Sequence, residues 1–387
     1  MAEPAALECG IYVSSLTLTD FRCYDRAKIS PSGVHPLVVL AGPNGAGKTN
    51  VLEALSYLAP GRGLRRAALG EVTNQNAKGP WAVAAELSLE GESIRVGTGL
   101  EAAESSRRLV RIDGETASNS NVLGERWSVT WLTPQMDRLF IEGPSARRRF
   151  LDRMVLGLYP DHSRQVGAYE RVMRERNRLL SERGVGADAA WLSALETRMA
   201  EHAVAVAITR LDFAGQLAGQ LEAADEGPFP KAELAIDGWL EGLIAEGAAA
   251  TEAESAYKDK LVASRQRDAR SGRASEGVHK TDLIVTHAPK GMRGELCSTG
   301  EQKALLIALV LANARLQAAQ KGLAPVMLMD EVAAHLDESR RRALFEALAS
   351  LGSQCWLTGT DQSLFNGLEG RAEFFDVQDG TIQPLHT

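Results

Sequence analysis

Gly42-Pro43-Asn44-Gly45-Ala46-Gly47-Lys48-Thr49 has the G-x-x-x-x-G-K-[ST] spacing of a phosphate-binding loop. The apolar run Leu37-Val38-Val39-Leu40 before it reads as a buried strand. Asn50-Val51-Leu52-Glu53-Ala54-Leu55 after it reads as the first turns of a helix. A strand–loop–helix context is what the motif requires, because its glycines let successive backbone N–H groups turn inward around a phosphate chain. The helix start adds its partial positive charge. The expected nucleotide-holding set is therefore Gly42, Pro43, Asn44, Gly45, Ala46, Gly47, Lys48, Thr49 and Asn50. Lys48 reaches the terminal phosphates and the Thr49 hydroxyl holds Mg²⁺. An ordinary Gly-rich turn would account for neither the lysine nor the hydroxyl.

A second apolar strand, Val326-Met327-Leu328-Met329, ends in Asp330-Glu331. This places two carboxylates at the carboxyl edge of a sheet, where α/β folds bind ligands. Asp330 is expected to hold Mg²⁺ and Glu331 to polarise the attacking water. Alone, the pair would be an acidic turn; its company with the loop at Gly42 makes it chemistry. Cys297-Ser298-Thr299-Gly300-Glu301-Gln302-Lys303 opens a long helix, and its hydroxyls and N–H groups suit either a helix cap or a phosphate. Its position before the Asp-Glu strand resembles the signature sequence of ABC- and SMC-type ATPase heads, with Ser298, Gly300 and Glu301 as the candidate contacts. Gln135, after Val129-Thr130-Trp131-Leu132, matches the glutamine loop of those heads, whose amide reaches Mg²⁺ and the water. Ala334-His335-Leu336-Asp337 matches the loop that touches the opposite subunit. The histidine expected after the next strand is replaced by Thr358-Gly359-Thr360-Asp361. That leaves terminal-phosphate sensing to a threonine hydroxyl, or makes hydrolysis slow. In such heads the signature of one subunit covers the nucleotide of the other, so an ATP-dependent homodimer is expected, with the γ-phosphate joining the two copies.

The chain has 387 residues, 44% of them apolar and 24% charged, which fits a globular protein of two lobes. No apolar run approaches the roughly 20 residues needed to span a bilayer. Met1 to Gly10 lacks the basic-then-apolar form of a signal peptide, and a reducing cytoplasm is expected. Cys9, Cys23, Cys297 and Cys355 stand far apart with no C-x-x-C pair, which argues against zinc or a disulfide framework. The net charge of −7 offers nucleic acid no global attraction, so DNA contact would need a local basic surface. Four arginine clusters supply candidates: Arg62, Arg65 and Arg66; Arg107, Arg108 and Arg111; Arg147, Arg148, Arg149 and Arg153; and Arg171, Arg174, Arg176 and Arg178.

Ile11 to Leu18 reads as an early strand, and segments around Trp81–Leu87 and Leu109–Gly114 as antiparallel strands. From Ala146 to about Leu221 the chain is rich in Arg, Glu, Leu and Ala, and Leu192, Met199, Val206 and Phe213 recur at intervals of seven. That spacing marks helix-on-helix packing. Strands then return at Leu283-Ile284-Val285, Val326–Met329, Cys355–Thr358 and Phe374–Val377, with helices over Glu301–Gln320 and Arg340–Leu351. The expected fold class is α/β: an ABC/SMC-type P-loop head with a mixed sheet, in two halves at 1–142 and 274–387. A mostly helical second domain is inserted over 143–273 as a short arm.

With these residues in view, the chain closely resembles the RecF family of bacterial recombination-repair ATPases over nearly its whole length. The pieces that carry the resemblance include Leu18-Thr19-Asp20-Phe21-Arg22-Cys23-Tyr24, Gly42 to Asn50, Gly143 to Asp152, Tyr169 to Leu180, Gly277-Val278-His279-Lys280-Thr281-Asp282-Leu283 and Ser298 to Lys303. The resemblance implies a weak, DNA-stimulated ATPase that binds double-stranded and gapped or junction DNA. It implies work with RecO and RecR to load RecA at single-strand gaps, with ATP and Mg²⁺ as cofactors and no membrane partner. Long-armed SMC or Rad-type proteins fit less well, because their halves are separated by hundreds of residues of heptads. A transporter ATPase would lack this insertion and keep the switch histidine. In a GTPase, His279-Lys280-Thr281-Asp282 would stand where N-K-x-D is needed.

Overall fold

The computed structural model describes residues 10–385 apart from 90, 103, 104, 106 and 187. Cys9 and the stretch before it therefore lie outside the described residues. The chain forms two compact units. The first gathers the chain up to Asp137, Asp225–Phe229 and everything from Leu306; the second gathers Arg138–Ala224 and Pro230–Leu305. The last cut falls inside the helix Thr299–Lys321. Residues 274–305 thus fold with the helical segment that precedes them, whereas the sequence reading starts the second half of the head at 274.

The first unit is built on two sheets. In one, Thr381–Leu385, Ala372–Gln378, Leu37–Ala41, Cys355–Gly359, Val326–Met329 and Val129–Leu132 lie side by side in that order. The last five run parallel, and Thr381–Leu385 pairs antiparallel at the edge. Leu37–Ala41, Val326–Met329 and Cys355–Gly359 are buried at every position, which is why they read as unbroken apolar runs in the sequence. Their parallel register sends the segments after Ala41, Leu132, Met329 and Gly359 to one sheet edge. The other sheet is antiparallel, in the order Tyr24–Ile29, Ile11–Phe21, Ala82–Leu89, Glu92–Leu100, Arg108–Ile112 and Glu115–Thr116. Phe21, Tyr57 and Trp81 join its buried face to the helix that follows the phosphate loop, with ring centroids 5.0–6.1 Å apart.

The second unit packs His162–Arg183, Ala189–Glu222 and Ala250–Ser271 around one apolar core. Leu192, Met199, Val206 and Phe213 all face inward on the long helix, so the seven-residue spacing is a packing seam. A small antiparallel sheet completes the unit, with Asp282–His287 between Ala232–Asp237 and Met292–Arg293. The strand expected at Leu283–Val285 therefore does not join the phosphate-loop sheet. Its pattern gives the reason. Leu283 and Val285 are buried while Ile284 and Thr286 are half-exposed, the alternation of a sheet covered on one face.

Candidate nucleotide-binding site

The loop after Leu37–Ala41 is shaped by glycines that nothing else could replace. Gly42 has φ 151, and a Cβ there would lie 2.1 Å from the Val377 carbonyl oxygen. Gly47 has φ 113, and its Cβ would meet the Tyr24 hydroxyl at 2.6 Å and the Cys23 Sγ at 2.8 Å. Both conformations are closed to ordinary side chains. The helix Lys48–Ser56 starts at Gly47 with no side-chain cap, so its first N–H groups point to the loop unpaired by any side chain. Lys48 is buried and its Nζ donates to the carbonyls of Gly42 and Pro43 at 2.6 and 2.8 Å. Burial pushes its pKa down, against the opposing pull of the Glu331 and Asp330 carboxylates. A polar cleft of about 690 Å³, lined in part by Arg22, Cys23, Asn50, Thr73, Asn74 and Asn76, opens beside the loop.

Asp330 and Glu331 follow Val326–Met329 as the alternation of strand and loop requires. The Thr49 hydroxyl donates to Asp330 Oδ1 at 2.9 Å, joining the phosphate loop to the acidic strand across 281 positions of sequence. Glu331 occupies the left-handed region, with φ 50. Its N–H donates to Thr358 Oγ1 at 2.8 Å, and that hydroxyl donates to Asp330 Oδ1 at 2.8 Å. Thr358 is buried, so its hydroxyl is committed to holding these two residues and is not free to sense a phosphate, as the sequence reading allows. Thr360 is exposed and Asp361 caps the short helix Gln362–Phe365. Gln135 is exposed three residues beyond Leu132, whose carbonyl accepts the Asp330 N–H at 2.9 Å. The loop, Gln135 and the two carboxylates thus belong to one sheet edge. His335, with φ 66, follows on the same loop, and Asp337 caps the helix Glu338–Ala349.

The Ser298 segment belongs to the second unit. Its N–H and Oγ both donate to Glu301 Oε2 at 2.9 Å, half of the reciprocal cap that opens many helices. The hydrogen bond from Lys290, helped by those from Ser298, holds the Glu301 carboxyl at about 2. Ser298 and Gly300 are exposed.

The structure also sorts the arginines. Arg147 grips both oxygens of Asp282 at 2.8 and 2.7 Å, Arg148 donates to the Thr281 carbonyl, and Arg176 lies wholly buried between Glu196 and Asp268. Arg108 is turned in to the carbonyls of Tyr57, Ala59 and Gly61. Arg65 reaches Asn50 and Glu53. Arg108, Arg147, Arg148 and Arg176 are thus committed within the fold, whereas Arg65 stays exposed. Arg171, Arg174 and Arg178 remain exposed on the outward side of His162–Arg183, three and four positions apart and so on one face. Arg198 is exposed on the neighbouring long helix, and burial together with the charges of Arg198, Arg164 and Arg171 pushes His202 down against the pull of Glu201. With Asp282 taken by Arg147 and His279 bonded to Tyr169 and the Ala274 carbonyl, the His279–Asp282 segment has no guanine-reading geometry.

Sequence reasoning gave no role to Glu53. It lies fully buried on the helix after the loop and binds Arg22 through two hydrogen bonds of 2.8 and 2.7 Å, with Arg65 as a second partner. A glutamate amid Val51, Leu52, Ala54 and Leu55 was the available signal, since a buried charge needs a paired cation.

The sequence profile of the RecF/RecN/SMC N terminal domain family matches residues 12–383. The DNA replication and repair protein RecF of Rhizobium etli strain CIAT 652 is 47% identical over 375 residues, covering 96% of this chain and 98% of that protein. RecF of Brucella suis is 46% identical with 96% of each chain covered. Among solved structures, the recombination mediator protein RecF with ATP superposes with a TM-score of 0.85 at 19% identity over the full length of both chains. The Smc head of Pyrococcus furiosus bound to the C-terminal domain of ScpA gives 0.52 at 15% identity over 97% and 96% of the chains. A near-complete profile match, extended identity to curated relatives and an SMC-head fold agree, and the chain belongs to the RecF family.

Proposed function

We propose that this chain is an ATP-dependent DNA-binding ATPase of recombinational repair and replication restart. In this reading it dimerises on ATP and acts with RecO and RecR to load RecA at single-strand gaps. The observation that carries the ATPase reading is the convergence of the Thr49 and Thr358 hydroxyls on one oxygen of Asp330 at the mouth of the phosphate loop. Hydroxyl, carboxylate and exposed amide (Thr49, Asp330 and Gln135) are the hard oxygen donors that Mg²⁺ takes. Mg²⁺ held by Thr49, Asp330 and Gln135 would supply positive charge to offset that of the nucleotide phosphates. Lys48 and the loop N–H groups bind the phosphates, the cleft beside Asn50 receives the nucleoside, and Glu331 orients and polarises the attacking water.

The DNA reading is supported by the relatives' names and by the outward row Arg171, Arg174 and Arg178 with Arg198 nearby. Arginines at this spacing suit a phosphate backbone, double-stranded, gapped or at a junction, and carry no base-reading pattern.

Two variants test the reading. Lys48→Met is expected to abolish ATP binding and ATP-dependent DNA retention. Glu331→Gln is expected to bind ATP, lose turnover and accumulate as an ATP-bound dimer, measured by light scattering after size exclusion. A Glu331→Gln protein that stays monomeric at saturating ATP and Mg²⁺ would sink the composite-site reading.

A further inference from the structure

We propose that Thr358 is a positioning residue for hydrolysis: its hydroxyl holds Glu331 in the backbone conformation that presents the carboxylate to the attacking water. The inference rests on the reading of Glu331 as the group that acts on that water. Thr358 is the fourth residue of Cys355–Gly359, and Leu357 stands opposite Met329 in the parallel ladder. The register therefore brings Thr358 level with the first residues beyond Val326–Met329. A threonine hydroxyl has one proton and two lone pairs. Here the proton goes to Asp330 Oδ1 at 2.8 Å and a lone pair receives the Glu331 N–H at 2.8 Å. The residue is 1% exposed, so water cannot replace either bond cheaply.

The bond to Glu331 has a specific task. Glu331 sits at φ 50, a region costly for a residue with a Cβ and tolerated only where the surroundings enforce it. Two bonds enforce it: the N–H to Thr358 Oγ1, and the Glu331 carbonyl accepting Ala334 N–H at 3.2 Å. Removing the hydroxyl orphans the N–H and lets the residue relax toward negative φ, which redirects its side chain. Asp330 keeps its bond from Thr49 at 2.9 Å, so the loss falls on the glutamate more than on the aspartate.

Thr358→Val keeps the shape and removes the hydroxyl; Thr358→Ser keeps the hydroxyl. Thr358→Val is expected to bind ATP within about 3-fold of the parent and to keep its Mg²⁺ requirement. Its kcat is expected to fall roughly 10- to 100-fold, part of the 10²–10⁴ a general base contributes. Its ATP-bound dimer should persist longer, read by light scattering without any turnover assay. Thr358→Ser should recover most of kcat. In a Glu331→Gln background the valine should change turnover little further, since the two act as one unit. Thr358→Ala carries the same expectations should the valine variant not fold. Full turnover in Thr358→Val, or a raised Mg²⁺ requirement with unchanged kcat, overturns the proposal. Failure of the underlying reading would look different: Glu331→Gln itself would turn over normally.

Discussion

An arginine's count in a sequence says little about where its charge goes. Arg147 and Arg171 stand 24 positions apart in the chain, but Arg147 is buried with both Asp282 oxygens on its guanidinium and Arg171 is exposed. Arg147→Ala would strand the Asp282 carboxylate inside the second unit. Breaking a buried pair from one side costs about 3–5 kcal/mol, so the urea midpoint should fall by a corresponding amount. Arg171→Ala should leave stability within about 0.5 kcal/mol. Asp152 shows the same logic in its titration. Burial alone would raise it, but the Arg210 guanidinium and the His162 bond outweigh that and hold it at about 2. Equal destabilisation by Arg147→Ala and Arg171→Ala would refute the distinction between buried and outward arginines.

The helix His162–Arg183 carries both kinds of arginine at once. Tyr169, Val172, Arg176, Leu179 and Leu180 face the core, and Arg171, Arg174 and Arg178 face away. If the outward row meets DNA phosphates, each lost contact should lower the slope of log affinity against log salt by about 0.9. The triple Ala variant should therefore flatten that slope by up to about 3 while leaving ATP binding intact; an unchanged slope would exclude this face. Elements differed in how far the sequence revealed them. The fully apolar parallel strands ending in Asp330-Glu331, or leading into Gly42, were legible because chemistry and hydropathy change at the same residue. Glu92–Leu100 was not, although Ile94, Val96 and Leu100 alternate inward. Its Gly97 and Gly99 look like turn residues, but Gly99 is buried and a Cβ there would come 2.5 Å from the Trp81 carbonyl oxygen. Ala232–Asp237 was hidden by Pro228, Pro230 and Gly238 around it. The Asp330–Thr358 bond links residues 28 apart and depends on strand register, which no local pattern encodes.

At the scale of the whole molecule, the composite-site reading needs a second copy of the chain to bring a signature-like helix start to the nucleotide. Within one protomer Ser298 needs nothing more: Glu301 accepts both of its protons and Lys290 balances Glu301. In the composite-site reading a second copy would meet the exposed Ser298 and Gly300 and the start of Thr299–Lys321, whose donors suit a γ-phosphate. Ser298→Arg separates the two accounts. The exposed position accommodates the longer side chain, and loss of the cap costs only about 1 kcal/mol, so the fold and the phosphate loop should survive. ATP affinity of the monomer should stay within a few-fold of the parent. The added bulk should instead keep the facing loop of the other copy from closing, so that the Glu331→Gln, Ser298→Arg double variant binds ATP but sediments as a monomer. A double variant that still dimerises on ATP would confine Ser298 to capping its own helix.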